Sequence, residues 1–125
     1  MGHGGCRASV TAPKGSSMDR PCTMILWRVH PGTEAEFLDT MRELVEVLLR
    51  LPGRPGELTL VQSTDDAAVF HSISWFHSQD DLEAMRQNID ARRLLDQLVT
   101  LSSECRPTAH RVTFTRAGPP TGAPS

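Results

Sequence analysis

Two β-favouring runs, Leu58 to Ser63 and Ala67 to Phe76, are separated only by Thr64-Asp65-Asp66. Two strands joined by so short a polar turn pair most readily as an antiparallel hairpin. This hairpin sits mid-chain with one helical pattern before it and another after it, so few folds remain available.

Upstream, Thr23 to His30 is rich in apolar and β-favouring residues and stops at Pro31-Gly32, as a strand does. Thr33-Glu-Ala-Glu36 then reads as a capping box, with the Thr33 hydroxyl accepting from an amide and Glu36 reaching back. The helix that follows sets Phe37, Met41, Leu44, Leu48 and Leu51 on one stripe and ends at Pro52-Gly53. Downstream, Ser78 caps a helix with Asp80 and Asp81 in its first turn and Leu82 and Met85 inward. A break near Asn88 and Asp90 precedes a second helical run, Ala91 to Leu101. It carries Leu94, Leu95, Leu98 and Leu101 on its inner side and is stopped by Pro107. Thr108 to Thr115 alternates and is read as the last strand. The order is β-α-β-β-α-β, the ferredoxin-like α+β motif with helices on one face of an antiparallel sheet.

A chain of 125 residues holds one core and not two. The expected division is a flexible tail over 1–21, a folded domain over 22–115 and a flexible tail over 116–125. The Gly, Ser and Pro content of both ends suggests it. The net charge of -2 gives no reason to expect nucleic acid. No apolar run approaches the roughly 20 residues that cross a bilayer. With no export signal, the three cysteines, Cys6, Cys22 and Cys105, are read as reduced thiols of a cytoplasmic protein. There is no Cys-x-x-Cys, no clustered His and carboxylate, and no Gly-rich strand-to-helix loop. A metal, flavin or nicotinamide cofactor is therefore not expected.

The unusual positions lie on the third strand, where His71 and Trp75 share one face with Val69 and Ile73. Both polar rings need partners when buried. Either an ordinary core satisfies them or they line a cavity. The opposite face carries Phe70 and Phe76 with Ser72 and Ser74, a poor solvent face. The expectation is a two-fold homodimer packed through that second face.

The stretches "HPGTEAEFLDTMRELVEVLLRLPG", "LVQSTDDAAVF", "SWFHSQDDLEAM" and "DARRLLDQL", in this order, resemble the antibiotic biosynthesis monooxygenase family of dimeric α+β barrels. The resemblance covers about residues 23–115. It implies dimers with sheets packed face to face and a pocket between sheet and helices in each protomer. It further implies a cofactor-free oxygenase that deprotonates an aromatic polyketide-like substrate, an anthrone or phenol, and lets the anion react with O2. By this resemblance Trp75 matches the family's third-strand tryptophan. His71 stands where the anthrone oxygenases have an asparagine, and Arg92 falls near their helical arginine. Val61 replaces a second-strand histidine, and the family's tyrosine after the tryptophan has no counterpart.

The expected roles follow. His71 is the base, since a histidine titrates near working pH. Trp75 stacks on the substrate and donates its N–H, and Arg92 stabilises charge. Trp27, Phe37, Val61, Ile73 and Met85 line the substrate pocket. Trp27 belongs either to the pocket or to the dimer face. Two other readings use the same residues: a non-oxidative cyclase or isomerase with His71 as proton shuttle, and a dimeric binding protein without catalysis.

Overall fold

A computed structural model describes residues 20–116 and Gly118. Four strands and three helices follow one another as β1 (Arg20–Val29), α1 (Glu34–Leu49), β2 (Glu57–Gln62), β3 (Val69–Trp75), α2 (Gln79–Gln87), α3 (Ile89–Thr100) and β4 (Ser102–Val112). The strands form one sheet in the order β2-β3-β1-β4, and every neighbouring pair is antiparallel. This is the ferredoxin-like α+β arrangement expected from the order of elements.

The hairpin forms, with Val61 opposite His71 and Gln62 opposite Phe70. Its turn is longer than the three residues expected, because β3 begins at Val69 rather than Ala67. Local side-chain bonds hold that turn. The Ser63 hydroxyl accepts from the Asp65 and Asp66 amides at 3.1 and 3.2 Å, and the Asp66 carboxylate accepts from the Ala68 amide at 3.0 Å.

Three local expectations are corrected. The capping box at Thr33 does not form. The Thr33 hydroxyl turns back and donates to the carbonyl of His30 at 2.7 Å, and Glu34, not Glu36, accepts from the Gly32 amide at 3.1 Å. Gly32 permits this entry because it sits at φ 88°, where a side chain would be strained. The second correction concerns β4, which starts at Ser102, directly after α3, and runs through Pro107. The proline is tolerated because β4 is an edge strand and its missing N–H forfeits no ladder bond on the open side. The third concerns β1, which begins at Arg20 and takes in Pro21, both assigned above to the N-terminal tail. The rest of that tail, residues 1–19, lies outside the described residues, as does most of 116–125.

The cap at Ser78 forms as read, accepting from the Asp81 amide at 3.1 Å. Asn88, read only as part of a break, is itself a cap: it accepts from the Ala91 amide at 2.9 Å and starts α3 at Ile89, ahead of the expected Ala91. The helices' inward stripes meet the sheet. Phe37, Met41, Leu44 and Leu48 of α1 and Ala91, Leu94 and Leu98 of α3 bury themselves with Trp27, Val29 and Phe70 in one core.

This core settles which sheet face the helices cover. Residues paired across strands share a face, so Trp27, Phe70, Ser72 and Ser74 lie together with Ile25 and Thr23 on the helix side. His71, Ile73 and Trp75 lie on the other side with Leu26, Met24 and Cys22. The expectation that Phe70, Ser72 and Ser74 present a dimer face is therefore overturned. Phe70 is fully buried against Phe37, and two phenylalanines flanking the serines demand the core rather than a surface.

Candidate active site

The helix face of the sheet does not close completely over its small residues. Ser72 and Ser74 stand where neighbouring strand positions carry larger side chains, and they leave a cavity of about 80 Å³ between sheet and helices. Its floor is Thr23, Ile25 and Trp27 of β1, Leu58 of β2, and the two serines of β3. Its roof is Met41, Leu44, Val45 and Leu48 of α1, with Met85 of α2 and Leu95 of α3. None of these side chains is ionisable.

The polar features are three hydroxyls and one indole. The Trp27 N–H donates to the Ser72 hydroxyl oxygen at 3.0 Å. With its oxygen accepting that bond, the hydroxyl can still donate its own proton, and an accepted bond makes it a stronger donor. Phe37 holds Trp27 in place from behind, edge to face with ring centroids 5.5 Å apart, and Phe70 packs on Phe37 at 4.9 Å. The site therefore offers an immobile aromatic wall and a preset hydroxyl donor in an apolar enclosure.

The residues expected to act divide between the two faces. Trp27 and Met85 line the cavity, and Phe37 supports Trp27 without reaching the cavity. His71, Trp75, Val61 and Ile73 gather on the face without helices. His71 is exposed and pairs in register with Val61 and Leu26, and Ile73 with Thr59 and Met24. Trp75 is held there by three contacts. Its N–H donates to a Glu57 carboxylate oxygen at 3.3 Å, the Arg20 guanidinium lies 4.9 Å from its ring centre, and His77 meets it edge-on at 5.1 Å. Its ring also packs against Gly56, where an added Cβ would overlap it. Arg92 is exposed on α3, away from both groups.

Ser72 and Ser74, expected on a dimer face, instead face the core. Phe70 and Phe76 on the same side signal that this face is buried, and packing against the helices is what buries it, leaving the serines too small to fill the space.

The remaining titratable groups add no nucleophile to the cavity. Burial pushes the Cys22 and Cys105 thiols up, so both stay protonated. Glu104 has its carboxyl held below the usual range by the Arg106 guanidinium beside it and, secondarily, by Arg28. Among the described residues no group of three or more His, Cys, Asp or Glu is placed to hold a metal ion. None of the described helices is long and apolar enough to cross a membrane.

A family model for antibiotic biosynthesis monooxygenases matches residues 22–97, more than half of the chain. The chain belongs to this family. Solved structures share its fold at low identity. SnoaB, a cofactor-independent oxygenase from Streptomyces nogalater, superposes with a TM-score of 0.70 at 20% identity, covering 78% of this chain and 96% of that one. A putative antibiotic biosynthesis monooxygenase from Nitrosomonas europaea gives 0.70 at 17%, covering 78% and 94%. A conserved protein from Methanosarcina mazei gives 0.70 at 16%, covering 76% and 94%. No curated protein sequence matches the chain.

Proposed function

We propose that this family member is a cofactor-independent monooxygenase of an aromatic, polyketide-like small molecule. The observation that carries the reading is the cavity, which combines an indole wall, apolar enclosure and a preset hydroxyl donor within a monooxygenase-family fold. An acidic anthrone or phenol loses a proton to become an electron-rich anion, and this anion reduces O2 directly. The resulting peroxide collapses with loss of water, so that a ring CH2 and one O2 become a ring carbonyl and H2O. In this reading the substrate lies flat on Trp27, and the Ser72 hydroxyl donates to the oxygen that gathers charge. Because no ionisable side chain among the described residues lines the cavity, the substrate's own acidity supplies the anion, with water as proton acceptor. His71 and Trp75 then act at an interface rather than on substrate.

That interface is proposed to be two-fold. The helix-free sheet face exposes Met24 and Val61 beside half-buried Leu26 and Ile73, an apolar strip that a second copy would cover.

The test is oxygen uptake with 1,8-dihydroxyanthrone by metal-stripped, colourless protein, scored against the spontaneous rate. Stoichiometric O2 consumption that survives chelation and falls in Ser72→Ala supports the reading. Turnover that proceeds without oxygen would instead identify a cyclase or isomerase. Uptake no faster than without protein would sink the proposal.

A further inference from the structure

The inner cavity is too small for the ligand proposed above. At about 80 Å³ it falls well short of the roughly 300–1,000 Å³ of sites that enclose drug-sized molecules. It does not end at its own walls, however. Met41, Val45, Leu58 and Ser72 also line a second space of about 90 Å³, which extends to Leu60. Met41, Val45 and Leu60 continue into an open groove of about 340 Å³ between α1 and the edge strand β2, rimmed by Arg42 and Glu46. The three spaces form a run from Ser72 to the surface through shared walls, and Met41 and Val45 border all of them.

Resting on that reading, we propose that a polycyclic planar aromatic binds along this run and that Met41 is the gate and length-determining residue. The oxygen-bearing ring sits inside against Trp27 and Ser72, and the distal rings lie in the α1–β2 groove. Three features support this occupant. The groove is apolar between its two rim charges, as a fused-ring face requires. The inner end gathers three hydroxyls and the indole, whereas the middle space beyond Ser72 adds only Thr59 and the outer groove keeps its charges at the rim. Methionine is an unbranched side chain that can change shape without disturbing its neighbours, so it can admit a flat ring between inner and outer spaces. A single-ring ligand would use only the inner end.

Binding measurements separate this from the oxygenase reading. The background is Trp75→Phe, which leaves Trp27 as the sole tryptophan and its fluorescence as the reporter. The probes are 1,8-dihydroxyanthraquinone, with three rings, and 2,6-dihydroxyacetophenone, with one. Glu46→Phe alters an exposed position that lines only the outer groove and adds no second tryptophan, and Leu60→Phe narrows the passage itself. Each is expected to weaken the three-ring probe at least tenfold and to change the one-ring probe less than twofold. Met41→Ala should speed association of the three-ring probe. Equal losses for both probes, an unchanged three-ring affinity in Glu46→Phe, an unchanged three-ring association rate in Met41→Ala, or no three-ring binding to the parent would overturn the proposal. If the selective loss is found but oxygen uptake is absent, this binding mode stands and the oxygenase reading fails.

Discussion

Ser72 carries more of the proposed chemistry than either histidine or tryptophan of the same strand. Its hydroxyl oxygen takes the Trp27 N–H, so its removal has two separable effects. Ser72→Ala leaves a buried indole donor unpaired and should cost about 1–3 kcal/mol in a thermal or denaturant melt. If the hydroxyl also meets the developing oxyanion, kcat should fall about 100- to 1,000-fold, beyond anything the loss of folded protein explains. Trp75→Phe provides the contrast. It deletes an exposed bond to Glu57 and leaves the cavity untouched, so oxygen uptake should stay within twofold of the parent. A large kinetic loss there would return Trp75 to the site. Gly56 makes a further residue-level prediction. A methyl group at this position would overlap the Trp75 ring, so Gly56→Ala should destabilise by about 1–3 kcal/mol unless the ring swings away. Combining it with Trp75→Ala should remove most of that penalty.

At the scale of elements, the helix starts differ in how they are held. Ser78 and Asn88 each accept a backbone N–H at the first turn, and replacing either by Ala should cost about 1 kcal/mol in melting experiments. The start of α1 relies on the Gly32 turn and the backward bond of Thr33 instead. Glu36→Ala should accordingly change stability by less than about 0.5 kcal/mol, whereas a formed capping box would make it costlier. The spacing Thr33 to Glu36 was a correct helix signal for a reason other than the one it suggested. Hydroxyl bonding has several local acceptors, the His30 carbonyl among them, and the Leu101 carbonyl came within reach only once the chain had folded. The edge position of β4 explains a second difference. A proline breaks a helix interior, but whether it breaks a strand depends on which side of the strand is unpaired; here α3 ends at Thr100 without it and Pro107 lies inside β4.

At the scale of the molecule, the sheet has one face covered by helices and one that no other described element covers. Met24, 38% exposed, and Val61, 45% exposed, sit on the bare side, so a second copy is the expected cover. Light scattering at micromolar concentration should give about twice the chain mass. Met24→Asp should shift it to the single-chain mass by placing a charge in a desolvated contact. A parent protein that is already monomeric at those concentrations would remove the two-fold interface. It would not touch the cavity, which lies within one chain between its own sheet and helices.

The sequence alone determined the succession of elements, because periodicity, turn residues and caps are local properties of neighbouring residues. The hairpin, the α1 stripe and the α2–α3 break can be read from such neighbours. Strand alternation also sorted Phe70, Ser72 and Ser74 from His71, Ile73 and Trp75. Which of these two sets faces the helices was decided only by the tertiary structure. A strand has two equivalent sides until long-range packing chooses one, and here Trp27 and Phe37 chose the side of Phe70. The cavity is a consequence of that choice. It is the space that two serines cannot fill once the helices have closed over them.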